Sequence, residues 1–252
     1  MALSIVVLIK QVPDMNAVRI NKSTGGLDFS GQLVISSFDD YAIEEALRIK
    51  EAHGGEVTAI SAGGPSTRDV LTRVLAMGAD KAILVSVDNP DTLDSLALAK
   101  ILADVVEPLA PDIVLTGQMS DDFGSGEVGP QVAERLGLPQ VSSATSVEIS
   151  GSVLTILRDT EDGKQEVEVQ TPVLIMAMTG LNEPRYPSLK GIMAAKKKPL
   201  ETVAATAAHA SRTAWSAPYV QERPAGGVIV QDVSPAEAAG QLVAWLRENK
   251  LV

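Results

Sequence analysis

Five short stretches of this chain are apolar almost without a break: Ser4–Ile9, Val57–Ser61, Ala82–Val85, Ile113–Leu115 and Val173–Met178. A strand with one wet face alternates apolar and polar side chains, so an unbroken run needs cover on both faces. Helical stripes lie between these runs. Asp39–His53 carries Ala42, Ile43, Ala46, Leu47 and Ile49 on one side, with Ser37 or Asp39 as cap and Gly54 as stop. A second helix starts near Ser66, turns Val70, Leu71, Val74 and Leu75 inward and ends at Gly78. Thr92–Leu109 is a third, stopped by Pro111, and Pro130–Leu136 a fourth, ended by Gly137. Strands alternating with helices predict an α/β fold: an open, mostly parallel, doubly wound sheet with helices on both faces.

After Val141 the pattern changes. Val147–Ile149, Val153–Leu157 and Val167–Val169 are separated only by short turns at Gly151 and Asp162-Gly163, which predicts an antiparallel hairpin addition. Asn21–Gly31 is rich in Gly, Ser, Asn and Lys and reads as an excursion or small hairpin. Thr202–Ala217 reads as an extended linker, Val228–Val230 as a strand, and Ser234–Glu248 as a capped amphipathic helix. The expected organisation is an α/β domain over 1–200 and an extended C-terminal arm over 201–252. The arm's helix must bury its apolar side on its own domain or on a partner.

The formal charge of −11 and pI near 4.7 exclude a general nucleic-acid binder, which needs a basic face. They do not exclude one nucleotide held by backbone amides. The absence of cysteine removes disulfides, thiolate catalysis and cysteine-held iron–sulfur clusters. Any redox chemistry must then sit on a bound organic cofactor. The apolar start is too short for a membrane span and lacks the marks of a signal peptide, so the expected location is the cytoplasm.

Three constellations could carry function. The first, TGQMSDDFGSGEVGPQVAERLG, leaves the carboxyl end of the Ile113–Leu115 strand and enters a helix. Open α/β sheets bind ligands there, and a helix N-terminus offers free N–H groups to a phosphate. It is neither a dinucleotide fingerprint nor a P-loop, and a merely flexible glycine loop is the competing reading. The second, Lys10-Gln11-Val12-Pro13-Asp14, reads by itself as a strand-ending turn. The third spans Asn182–Lys198. There Leu189 either stands out beside Pro187 for a partner or packs inward against Ile192 and Met193, and the lysines 196–198 screen a helix end. No nucleophile–base pair and no metal-ligating set is in view.

The run from Arg158 to Leu200 joins a charged hairpin, a strand entered through Pro172, LNEPRY and IMAAKKK. This order resembles the signature region of electron transfer flavoprotein beta subunits. The resemblance covers most of 1–200 and implies an adenine-nucleotide-hydrolase-like sheet. It implies a heterodimer with an alpha subunit, FAD shared at the interface and an AMP in this subunit. Electrons would pass from flavin-dependent dehydrogenases to a quinone oxidoreductase or another acceptor, with no catalytic side chain here. Carried over by position, the nucleotide residues are Leu8, Ser36, Ser37, Phe38, Asp39, Ala59, Asp122, Ser125, Gly126, Val128 and Gly129. The partner-contact residues are Tyr186, Leu189, Ile192 and Met193, with Leu189 as anchor. Ser120-Asp121-Asp122-Phe123 departs from the family's usual Ala-Ile-Asp core, which leaves the ligand open. Val12-Pro13-Asp14 and Gly129-Pro130-Gln131 lean toward the bifurcating branch, with a second FAD here and NADH as donor. A stand-alone adenine-nucleotide-binding stress or signalling domain is a further alternative.

Overall fold

A computed structural model describes residues 2–21, 23, 26–29, 31–205, 209–216, 219 and 227–252. The chain divides into two compact units, Met1–Pro218 and Tyr219–Val252.

The first unit begins with β1 (Leu3–Leu8) and two small antiparallel ribbons. One pairs β2 (Gln11–Pro13) with β5 (Leu33–Ile35), the other β3 (Arg19–Ile20) with β4 (Leu27–Asp28). Residues 22, 24, 25 and 30 of the expected excursion lie outside the described residues. Then come α1 (Ser37–His53), β6 (Gly55–Gly63), α2 (Arg68–Met77), β7 (Lys81–Ser86), α3 (Ser95–Val106), β8 (Ile113–Gly117) and α4 (Val128–Leu136). β9 (Gln140–Ser150), β10 (Val153–Thr160) and β11 (Gly163–Gln170) follow as a meander. β12 (Val173–Ala177), α5 (Leu189–Ala195) and β13 (Leu200–Ala204) complete the regular elements.

Nine strands form one sheet in the order β11-β10-β9-β12-β8-β1-β6-β7-β13. Every pairing from β9 to β13 is parallel; only β9–β10 and β10–β11 are antiparallel. The hairpin addition thus continues the main sheet. β1 shows why its sequence is unbroken. Ile5 and Val7 point into a core shared with α1 and α2, and Val6 and Leu8 into a second shared with α3 and α4. Burying both faces at about 25 cal/mol per Å² makes the central strands the stable floor of the molecule.

Several elements differ from expectation. The third helix is shorter, flanked by 3-10 turns at Pro90–Thr92 and Glu107–Leu109. The fourth begins two residues early, at Val128. Leu200–Ala204, read partly as linker, is the sheet's edge strand beside β7. An edge strand buries one neighbour only, so its Glu201 and Thr202 are tolerated and mask the strand pattern. Residues 206–208 and 217 of that stretch lie outside the described residues.

In the second unit the regular element is α6 (Pro235–Glu248), opened by a reciprocal capping box between Ser234 and Glu237. None of its residues is buried. Val228–Val230, expected as a strand, forms none, and its three side chains are exposed. Among the described residues no helix is long and apolar enough to cross a membrane.

Candidate nucleotide site and partner-recognition loop

The chain runs outward from β1 through β6 to β7, then returns to place β8 on the other side of β1. That reversal opens a crevice between the carboxyl ends of β1 and β8, where open α/β sheets take ligands. One side chain spans it. Asp39, in the first turn of α1, does not cap its helix. It accepts the Lys10 N–H at 2.7 Å and the Gly117 N–H at 3.0 Å, one on each carboxylate oxygen. The carboxylate therefore staples the end of β1 to the end of β8 from a site only 6% exposed. Burial pushes its carboxyl up to about 7, against the pull of the two backbone N–H groups. Gly117 is required for this approach: a Cβ there would lie 2.5 Å from Asp39 Oδ1 and 2.8 Å from Phe38 Cβ.

The segment from Gln118 to Glu127 leaves β8 and arches to α4. Its side chains are tied to their surroundings one after another. The Asp121 N–H donates to Ser36 Oγ at 3.1 Å, and the Ser37 N–H and hydroxyl donate back to the Asp121 carboxylate, both at 2.7 Å. Lys10 Nζ donates to Asp122 at 2.6 Å and lies 4.3 Å from the centre of the Phe123 ring. The Ser95 hydroxyl donates to Glu127 at 2.5 Å. Between these ties Gly124 and Gly126 turn with positive φ, and α4 then starts with no side-chain cap and no acid in its first turn. Its open N–H groups and the exposed Ser125 suit a phosphate. The donor set thus fits a phosphate group.

The sequence-derived residues fall unevenly about this crevice. Leu8 is the buried last residue of β1. Ser36 is fully buried at the α1 cap position, Ser37 is exposed beside it and Phe38 is half-buried. Asp122, Ser125 and Gly126 lie in the arch, and Val128 and Gly129 open α4. Gly129 is buried, where a Cβ would meet Thr116 and Met176. Ala59 stands apart: it sits mid-strand in β6 opposite Val7, fully buried in the α1/α2 core. Sequence reasoning missed the ties of Asp121 and Phe123. Their partners are 84 residues or more away from them along the chain, and no local pattern announces such contacts.

The loop after β12 is built differently. Asn182 Nδ2 donates to the Tyr41 carbonyl at 3.0 Å and to Glu45 at 2.9 Å. The Arg185 guanidinium grips the buried Glu44 through Nε and a terminal nitrogen, both at 2.8 Å, and reaches Glu51 as well. These groups clamp the loop to α1. Ser188 then caps α5 by accepting the Gly191 N–H at 3.0 Å. A Cβ on Gly191 would lie 2.1 Å from the Ala76 carbonyl, so α5 is pressed on α2. Leu189 is 84% exposed, and Tyr186, Ile192 and Met193 are exposed with it. Of the two readings of Leu189, the inward-packed one is not what the structure adopts. Lys198 binds the carbonyls of Leu75 and Ala79, so it screens the end of α2 rather than of its own helix.

The family model described as "Electron transfer flavoprotein domain" matches residues 24–208. The chain is 46% identical over 197 residues to the electron transfer flavoprotein subunit beta of Thermoanaerobacterium thermosaccharolyticum, covering 78% of this chain and 76% of that one. It is 39% identical over 253 residues to the subunit beta of Syntrophomonas wolfei, covering 99% and 98%. It is 34% identical over 260 residues to the caffeyl-CoA reductase-Etf complex subunit CarD of Acetobacterium woodii, covering 98% and 99%. With the signature loop and the switch-point crevice in place, the chain belongs to the electron transfer flavoprotein family, aligned along most of its length with beta subunits.

Proposed function

We propose that this chain is the beta subunit of a heterodimeric electron transfer flavoprotein. It pairs with an alpha subunit, shares the redox FAD at their interface and holds an AMP in the crevice between β1 and β8. The observation that carries the reading is Leu189, exposed at the first position of α5, directly after a loop that Asn182 and Arg185 clamp to α1. An apolar side chain held out at such a position suits docking to a flavin-dependent dehydrogenase. FAD, when bound, supplies the electron acceptance and donation. The residues of this chain do other work. Asp39 holds the crevice, the arch from Gln118 to Glu127 carries the nucleotide, and the 181–195 loop docks the donor. α6, tethered and unburied, gains by packing on the alpha subunit at a small search cost. The final acceptor is a quinone oxidoreductase or an equivalent.

A second reading puts another FAD in the crevice and takes electrons from NADH, as in bifurcating members of the family. Val12-Pro13-Asp14 and Gly129-Pro130-Gln131 favour it. The two readings separate in one stopped-flow experiment on the complex assembled with its alpha subunit. The flavin should bleach when a substrate-reduced, flavin-dependent dehydrogenase is mixed in, and should stay oxidised with NADH alone. Bleaching by NADH would replace the first reading with the second.

A further inference from the structure

We propose that Trp215 is a positioning residue for the nucleotide-carrying arch, so that nucleotide retention depends on the segment that follows the edge strand. The proposal rests on the reading of the crevice as a nucleotide site.

The segment 209–216 is pinned to α3. Asp94 is a buried carboxylate with two duties. Its Oδ1 caps α3 by accepting the Ala97 N–H at 2.8 Å. Its Oδ2 accepts the Arg212 N–H at 2.6 Å and the Thr213 N–H at 3.2 Å. The Asp94 N–H in turn donates to Ser211 Oγ at 2.9 Å, and His209 Nε2 lies 3.0 Å from Asp104. This segment ends by laying the Trp215 indole against Phe123, ring centres 4.9 Å apart and tilted by 40°.

Phe123 is a residue of the arch itself. Its ring contacts both the Lys10 ammonium and the Trp215 indole. Both aromatic rings stay substantially exposed, so the pair removes little area from water. What it fixes is direction. Gly124 and Gly126 contribute no side chain to hold the arch; past the backbone bond from the Gly124 N–H to the Ser120 carbonyl at 2.8 Å, its side-chain ties from Asp121 onward are those at Asp121, Asp122, Phe123 and Glu127. Three of those reach the sheet and helices of the α/β body. The Phe123 tie alone also reaches the segment beyond β13. Loosening it frees the arch between the Asp122 anchor and the start of α4, where the phosphate sits.

The test uses the complete complex with its alpha subunit and follows release of bound AMP after dilution. Trp215→Leu keeps an apolar side chain but removes the ring; Trp215→Phe keeps a ring. Release should be about fivefold faster for Trp215→Leu, the size of one aromatic contact, and within about twofold of wild type for Trp215→Phe. Melting temperatures should stay together. Equal release from wild type and Trp215→Leu overturns the proposal. A general packing defect would speed release from both variants alike and lower both melting temperatures, and that result overturns it too. If Trp215→Leu does not assemble, 5-fluorotryptophan placed in this chain decides. Its two tryptophans, Trp215 and Trp245, give two lines, assigned with Trp245→Phe. The Trp215 line must shift when AMP is stripped from the complex; an unmoved line overturns the proposal. A wild-type complex that retains no nucleotide at all defeats the nucleotide reading first, and this proposal with it.

Discussion

Asp39→Ala should lower the stability of the protein by about 3 kcal/mol and empty its nucleotide site. Two N–H groups, the part-buried one of Lys10 and the buried one of Gly117, lose their acceptor, and each such loss costs up to about 1–3 kcal/mol. Removing a desolvated carboxylate returns part of that. The melting temperature should fall by roughly 6–12 °C for a chain of this size. The ends of β1 and β8 would no longer be tied across the crevice, so AMP should be missing from the purified complex. An unchanged melting temperature with full nucleotide content would show that the carboxylate does not hold the site. The same residue sets a pH dependence. In the unfolded chain an aspartate titrates near about 4, whereas burial pushes this one up to about 7. The folded state therefore binds the proton more tightly. The stabilising contribution is full below about 4 and is lost as the pH rises through about 7. The urea midpoint of the wild type should fall between pH 5 and pH 8, and Asp39→Asn should flatten that fall. A wild-type-like fall in the Asn variant would assign the titration to other groups.

Leu189→Ala should slow flavin reduction by the donor dehydrogenase about thirtyfold, with the heterodimer and its flavin intact. Central apolar anchors commonly carry about 2 kcal/mol of a docking energy, which corresponds to that factor. The side chain touches little of its own subunit, so stability should not move. Arg185→Ala tests the scaffold beneath it. That change leaves the buried Glu44 without its guanidinium, costs about 2–3 kcal/mol and frees the loop that presents Leu189. The two variants differ in kind: one loses transfer alone, the other loses transfer and stability together. Full transfer rates in Leu189→Ala would remove the anchor role.

The parallel core was legible because each central strand is apolar on both faces, and Ile5 to Leu8 shows that pattern directly. The hairpins were legible from Gly151 and Asp162-Gly163, which sit at the two turns. Residues 200–204 were not, because an edge strand carries polar side chains and looks like linker. The LNEPRY loop was recognised as a unit, yet its division of labour was hidden. Asn182 and Arg185 clamp inward while Tyr186 and Leu189 face out, and only the fold brings Glu44 and Glu45 beneath them. Asp39 was read both as a helix cap and as a nucleotide residue. Its actual partners, Lys10 and Gly117, lie on two strand ends that become neighbours only when the chain reverses direction. Contacts of that range leave no local periodicity to read.

The most direct test of the account is the nucleotide released by denaturing the purified complex with its alpha subunit, counted as FAD and AMP. The expected result is one FAD and one AMP per heterodimer. Two FAD and no AMP would contradict it, and would place a second flavin in the crevice that Asp39 holds between β1 and β8.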